Sequence, residues 1–115
     1  QVRDFLHIED LYRLLLLQIK NIKKHNGNIY NIGGGNERSL SLLELTNLCL
    51  EISGKKTKIT PNPEPTKADI PYFVSDSRKI INSSEWTPKI SVREIMEDII
   101  RWIMDNKEML RPILA

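Results

Sequence analysis

The sequence predicts an α/β fold, and three observations carry that reading. Apolar residues recur at helical spacing in two long stretches, short β-branched and aromatic runs lie between them, and Gly, Asn and Pro punctuate the joins. The chain has 115 residues, 40% hydrophobic and 28% charged, which suits one compact domain or a piece of a larger one.

Val2 to Ile8 alternates apolar and polar residues and is expected to be extended. Glu9 and Asp10 put acidic groups at a helix start, and the helix runs to about Lys24 before Asn26-Gly27 ends it. Its apolar residues, Leu11, Leu14, Leu15, Leu16, Leu17, Ile19 and Ile22, surround too much of the circumference for a solvated helix. It should therefore be buried on more than one side.

Asn28 to Ile32 reads as a strand, broken by Gly33-Gly34-Gly35. Ser41 and Glu44 form a capping box for a helix to about Ser53. Its apolar face is Leu42, Leu45, Leu48, Cys49 and Ile52, with Gly54 as the stop. Lys58 to Thr60 is a short strand. Pro61, Pro63, Pro65 and Pro71 exclude regular structure between them. Pro71 to Ser75 is extended again, Asp76 caps a short helix through Ile81, and Trp86-Thr87-Pro88 turns. Ser91 and Glu94 repeat the capping box, and Val92, Ile95, Met96, Ile99, Ile100 and Ile103 mark one face of the last helix. About four helices and about four strands result. Trp86, Trp102, Tyr72 and Cys49 are expected in the core.

Several functions are disfavoured. The net charge is +2, and the basic stretches Lys20 to Lys24 and Lys55 to Lys58 sit at helix ends, where cations meet the negative pole; nucleic acid is not an expected partner. One cysteine and two separated histidines leave no structural zinc site. The longest apolar run, Leu14 to Leu17, is too short to cross a membrane, and no secretory signal is visible, so a cytoplasmic protein is expected. The chain opens at Gln1, inside an apparent strand, which suggests an upstream portion.

No dinucleotide fingerprint occurs. Gly33 to Gly35 lie between a strand and a helix, but six residues separate Gly35 from Leu42. None of Tyr12, Tyr30 and Tyr72 is followed four residues on by lysine, so no Tyr-x-x-x-Lys pair is present.

The order of short blocks says more. Arg3-Asp4-Phe5-Leu6-His7-Ile8-Glu9-Asp10-Leu11 resembles the Arg-Asp-aromatic-x-His-Val-x-Asp-Leu block of the extended short-chain dehydrogenase/reductase family. Tyr30-Asn31-Ile32-Gly33-Gly34-Gly35 with Ser41-Leu42-Leu43-Glu44-Leu45 is similar to its Tyr-Asn-x-Gly-x-Gly block and following helix. Asp69-Ile70-Pro71, Ser75-Asp76-x-x-Lys79, Trp86-x-Pro88 and Ser91-x-x-Glu94 look like its closing blocks. The glycine run and the Ser-Leu-Ser-Leu-Leu-Glu-Leu after it look most like CDP-paratose 2-epimerases, with UDP-glucose 4-epimerases close behind.

The resemblance implies the C-terminal part of an NAD-dependent nucleotide-sugar epimerase or dehydratase. Residues 1–32 would be a segment packing on a Rossmann domain as its last helix and strand, and 33–115 a small α/β substrate-binding domain. NAD and the Tyr-x-x-x-Lys pair would belong to the Rossmann domain, leaving this chain catalytically incomplete. It also implies roles: Arg3 on the substrate diphosphate, and Asp69 on the substrate side. His7 would be hydrogen-bonded near the cleft, Asp10 structural at the helix start near His7, and Asn31 and Gly33 backbone geometry. One block departs from the pattern. Where the family usually has Arg-x-Gly-Asp, the chain has Thr66-Lys67-Ala68-Asp69. Lys67 supplies a charge one position away, but not a bidentate fork. A second reading stays open, a non-enzymatic interaction module that no longer binds nucleotide. Without the rest of the protein, helix 9–24 and the strand around Tyr30 are expected to drive self-association, for instance as a homodimer.

Overall fold

A computed structural model describes residues 1–60 and 69–114. Strand β1 (Val2–Asp4) leads to helix α1 (Ile8–Lys20) and a short α2 (Ile22–His25). A 3-10 turn over Asn36–Arg38 precedes β2 (Ser39–Ser41) and α3 (Leu42–Ser53). Then come β3 (Tyr72–Phe73), α4 (Arg78–Ser83), α5 (Val92–Asp105) and α6 (Lys107–Leu114).

β1 is the central strand of a three-stranded sheet in the order β2-β1-β3. It pairs antiparallel with β2, Arg3 opposite Leu40, and parallel with β3, Arg3 opposite Phe73. The sheet thus joins residues from both sides of the boundary at 32/33 drawn from the sequence.

The strand expected at 28–32 is absent, and so is that at 58–60. A strand exists only as a pairing, and neither segment pairs with β1 or with the outer edge of β2 or β3. Residues 28–32 are held by side chains instead. Lys79 Nζ donates to the Ile29 carbonyl (2.8 Å) and lies 5.0 Å from the Tyr30 ring centre, while the Tyr30 hydroxyl meets His25 Nδ1 at 3.0 Å. The single helix expected over 9–24 is two. It breaks at Asn21, whose amide side chain and backbone N–H both bond the Leu17 carbonyl. The last helix likewise breaks at Asn106, which satisfies the Trp102 carbonyl in the same way.

Both capping boxes form. Ser41 Oγ accepts from the Glu44 N–H (3.2 Å) and Glu44 Oε2 from the Ser41 N–H (2.7 Å); Ser91 and Glu94 repeat this at 3.3 and 2.8 Å. The Ser41 hydroxyl and amide hold the Glu44 carboxyl below the ordinary value of 4.5, and Ser91 does the same to Glu94.

Two small cores result. Leu14, Ile80 and Trp86 form one, against which Leu6, Leu17, Tyr30, Ile32 and Ile81 pack. Val92, Ile95 and Met96 form the other, with Phe5, Leu40, Leu45, Leu48, Cys49, Ile52 and Ile90 around it. Trp86 anchors the first core as expected, and Cys49 lines the second. Trp102 and Tyr72 do not enter a core, being 54% and 60% exposed, because nothing among the described residues covers that side of α5 or β3. Helix α1 is buried on one side only: Leu14 is fully covered, whereas Leu15, Leu16, Ile19 and Tyr12 face outward. The Cα radius of gyration is 17.3 Å. A single-core domain near this length would show about 13 Å.

The cores are tied together by Asp10, which is fully buried. Its Oδ1 and Oδ2 accept from the Lys89 N–H at 3.0 and 3.1 Å, Oδ2 accepts from the Ile90 N–H at 3.0 Å, and Arg13 donates to Oδ1. The Asp10 carbonyl takes the Trp86 indole N–H at 2.8 Å.

Two predictions follow from these contacts. Asp10→Ala strands the Lys89 and Ile90 amides and should cost about 2–4 kcal/mol in chemical denaturation, from lost charge-assisted bonds and unsatisfied donors. A loss below about 0.5 kcal/mol would show that water replaces the carboxylate. For the capping boxes, a carboxyl whose folded pKa is depressed lends stability above its unfolded value and loses it as pH falls through the folded one. Unfolding free energy should therefore drop as pH falls below 4.5. The Glu44→Gln/Glu94→Gln variant should show a flatter acid limb in the same titration.

Candidate functional site

The pleat of β1 sends neighbouring side chains to opposite faces. On one face Arg3 reaches Asp69: its Nη2 donates to Oδ1 at 2.8 Å, and its Nη1 donates to the Val2 carbonyl at 2.7 Å. Gln1 Nε2 donates to the other Asp69 oxygen. Arg3 thus pairs with Asp69, 66 positions on, rather than with its neighbour Asp4. The Arg3 Nε–H and the remaining hydrogens on both terminal nitrogens have no partner among the described residues. Lys67, with Thr66 and Ala68, lies outside the described residues.

On the other face Asp4 organises the glycine loop. Its Oδ2 accepts from the Gly35 N–H at 3.0 Å and its Oδ1 from the Ser75 hydroxyl at 3.4 Å. A methyl group on Gly33 would collide with the Asp4 carboxylate and Ser75, and one on Gly34 with the Phe5 carbonyl. Gly35 has φ +70°, which side chains rarely adopt. Ser77, buried, clips this loop with both hands: its hydroxyl accepts from the Gly33 N–H (2.9 Å) and donates to the Gly33 carbonyl (3.3 Å). Asn31 is exposed beside it.

A cleft of about 1020 Å³ opens over this loop, lined among others by Asn36, Arg38, Tyr72, Asp76, Arg78 and Pro88. The Tyr72 hydroxyl donates to Asn36 (3.3 Å), and Arg38 Nε donates to the Ile90 carbonyl (3.0 Å). Arg78 donates to Asp76 at 2.8 Å and, chiefly through that bond, lowers the Asp76 carboxyl to about 2. The charges on this rim are therefore paired within the chain.

His7 and Asp10 do not meet. His7 is the N-cap of α1, its Nδ1 accepting from the Glu9 N–H at 3.1 Å, so its proton sits on Nε2, 3.5 Å from Asp98. Asp10 faces the Lys89-Ile90 turn. Sequence reasoning missed Asp4, Ser75 and Ser77 as organisers of the loop. The close spacing of Ser75, Asp76 and Ser77 after a strand was the available signal. Among the described residues no group of three or more His, Cys, Asp or Glu could hold a metal. No helix among them is long and apolar enough to cross a membrane.

No family model matches the chain. The CDP-paratose 2-epimerase of Salmonella typhi is 38% identical over 102 residues, 89% of this chain and 30% of that protein. The solved UDP-Glc/GlcNAc 4-epimerase of Campylobacter jejuni matches with a TM-score of 0.75 at 26% identity, covering 90% of this chain and 31% of its own. The chain is thus similar, over about nine-tenths of its length, to enzymes of the extended short-chain dehydrogenase/reductase family. The dTDP-glucose 4,6-dehydratase of Bacillus anthracis, solved in complex with NAD, shares the fold, with a TM-score of 0.72 at 24% identity over 97% of this chain and 34% of that one. The chain spans about a third of the length of the relatives it matches and corresponds to their C-terminal α/β part. The glycine loop does not have the form of a dinucleotide-binding turn: the Gly33 and Gly35 N–H groups are taken by Ser77 and Asp4, the loop does not lead directly into a helix, and no Tyr-x-x-x-Lys pair is present in the sequence.

Proposed function

We propose that residues 1–115 are the substrate-binding part of a cytoplasmic, NAD-dependent nucleotide-sugar epimerase taking a CDP- or UDP-sugar, with Arg3 on the diphosphate. The observation that carries this is the state of Arg3: anchored at the centre of the sheet by Asp69 and the Val2 carbonyl, partly exposed, and with N–H groups that have no partner among the described residues. A guanidinium so placed suits a diphosphate, because its planar fork can bond two oxygens at once and its charge never titrates. NAD would be held outside these residues, which supply neither its cradle nor the proton-transfer pair, so the chain alone turns nothing over.

The outward apolar face of α1 supports a further part of the reading. Leu15, Leu16 and Ile19 would pack, with residues 28–32, on a dinucleotide-binding domain. Full burial of such a side chain is worth about 1.5–3 kcal/mol, and these three, left about half exposed, together forgo enough to favour pairing of the isolated segment with a second copy.

In the intact protein Arg3→Ala should weaken calorimetric binding of CDP- or UDP-sugar by about 1.5–3 kcal/mol, the worth of a charge-assisted hydrogen bond. An unchanged dissociation constant would remove Arg3 from the site and favour the interaction-module reading, for which Thr66 in place of arginine speaks. For the apolar face, sedimentation of residues 1–115 over a concentration series should show dimers or larger species. A monomer at high micromolar concentration would refute that packing.

A further inference from the structure

The apolar stripe of α5 does not end where its covering ends. Val92, Ile95, Ile99 and Trp102 on α5, then Met109 and Ile113 on α6, follow one another in alternate steps of three and four residues, with Asn106 at the step between the helices. That is the ~3.5-residue period of a seam that meets another helix lengthwise. The ladder of backbone bonds crosses the break: the Asn106 N–H donates to the Trp102 carbonyl at 3.1 Å, and the Asn106 carbonyl accepts from the Leu110 N–H at 3.0 Å. Val92 and Ile95 are buried in the second core beside Leu45, Leu48 and Ile52 of α3. Beyond them the seam is bare among the described residues, from 46% exposed at Ile99 to 73% at Ile113. One edge of it, formed by Met96, Ile103 and Leu110, is the better covered; the other carries Asp98 and Asp105, both exposed.

We propose that α5 and α6 are an interface between two copies of the intact protein, the bare seam of one lying parallel to and in register with that of the other about a two-fold axis. The outward face of α1 plays no part, being assigned to the dinucleotide-binding domain. A second copy brings a seam of identical period, so each apolar side chain meets its own counterpart across the axis. Ile99, Trp102, Ile103, Met109 and Ile113 leave on the order of 500 Å² bare per copy, and the pair buries about 1,000 Å², the least that a specific interface shows. Charge sets the direction. In an antiparallel pair the Asp98–Asp105 edges of the two copies would run along each other; in a parallel pair each lies beside the Ile103–Leu110 edge of the other copy. Asn106 sets the register. Its amide nitrogen donates one hydrogen to the Trp102 carbonyl at 2.8 Å, while its amide oxygen has no partner among the described residues. In register, the two Asn106 amides meet and bond each other; a slip of one repeat sets each against Ile99 or Ile113, where it would be buried without a partner.

Cysteine cross-linking in the intact protein tests this. Under mild oxidation Asn106→Cys should give a disulfide-linked dimer on a denaturing gel, because parallel in-register seams bring that position against itself. Glu108→Cys, exposed on the far side of α6, should link no more than the unmodified protein, whose native thiols set the background. Adding Met109→Glu, at an exposed seam position outside both cores, should remove the Asn106→Cys link. It should also raise the dimer dissociation constant about tenfold or more in sedimentation equilibrium, because two like charges would face each other. Equal linking at positions 106 and 108, or a link that survives Met109→Glu, would overturn the proposal. So would an Asn106→Cys protein that does not link, and maleimide labelling then separates the causes. Slow labelling shows another part of the protein lying on the seam, and fast labelling shows a seam open to water.

Discussion

Burying a carboxylate with no exposed surface is expensive unless every lone pair finds a donor, and Asp10 meets that condition with two backbone amides and a guanidinium. Its own carbonyl takes the Trp86 indole N–H. One residue in the first turn of α1 therefore fixes where the turn between α4 and α5 runs. Trp86 is brought onto Leu14 and Ile80, and the Ile90 carbonyl is left where Arg38 can reach it. The first core, the start of α5 and the floor of the glycine loop all depend on that arrangement.

The strand β1 then distributes function by its pleat. Arg3 and Phe5 face one way, toward Asp69 and the second core; Asp4 faces the other, toward Gly35 and Ser75. A slip of one residue in its register would exchange the two faces and place a guanidinium where the glycines approach most closely. Pairing on both edges of β1 makes such a slip costly.

Much apolar surface is left outside the two cores. Leu15, Leu16 and Ile19 on α1, and Trp102, Met104, Met109 and Ile113 on α5 and α6, are all substantially exposed. Scattered apolar residues on a surface need no explanation, but runs along helix faces do. The sequence pattern for α1, apolar nearly all round, led to an expectation of burial on more than one side, and the described residues cover one side.

What the sequence determined by itself was local or ordinal. The two Ser-x-x-Glu boxes, Gly54 as a helix stop and the apolar face of α5 are decided within a few residues, where hydrogen-bond geometry and helical period act directly. The resemblance to known enzymes was legible too, because it is written in the order of short blocks rather than in any contact. Tertiary structure decided what depends on partners distant in the chain. Asn28 to Ile32 had the composition of a strand but pairs with none of the sheet's edges, and Tyr72 and Trp102 had the character of core residues but no covering element among the described residues. The partners of Arg3 and Asp10 lie 66 and about 80 positions away, and a side chain's role is set by what the fold brings against it, which spacing along the chain cannot specify.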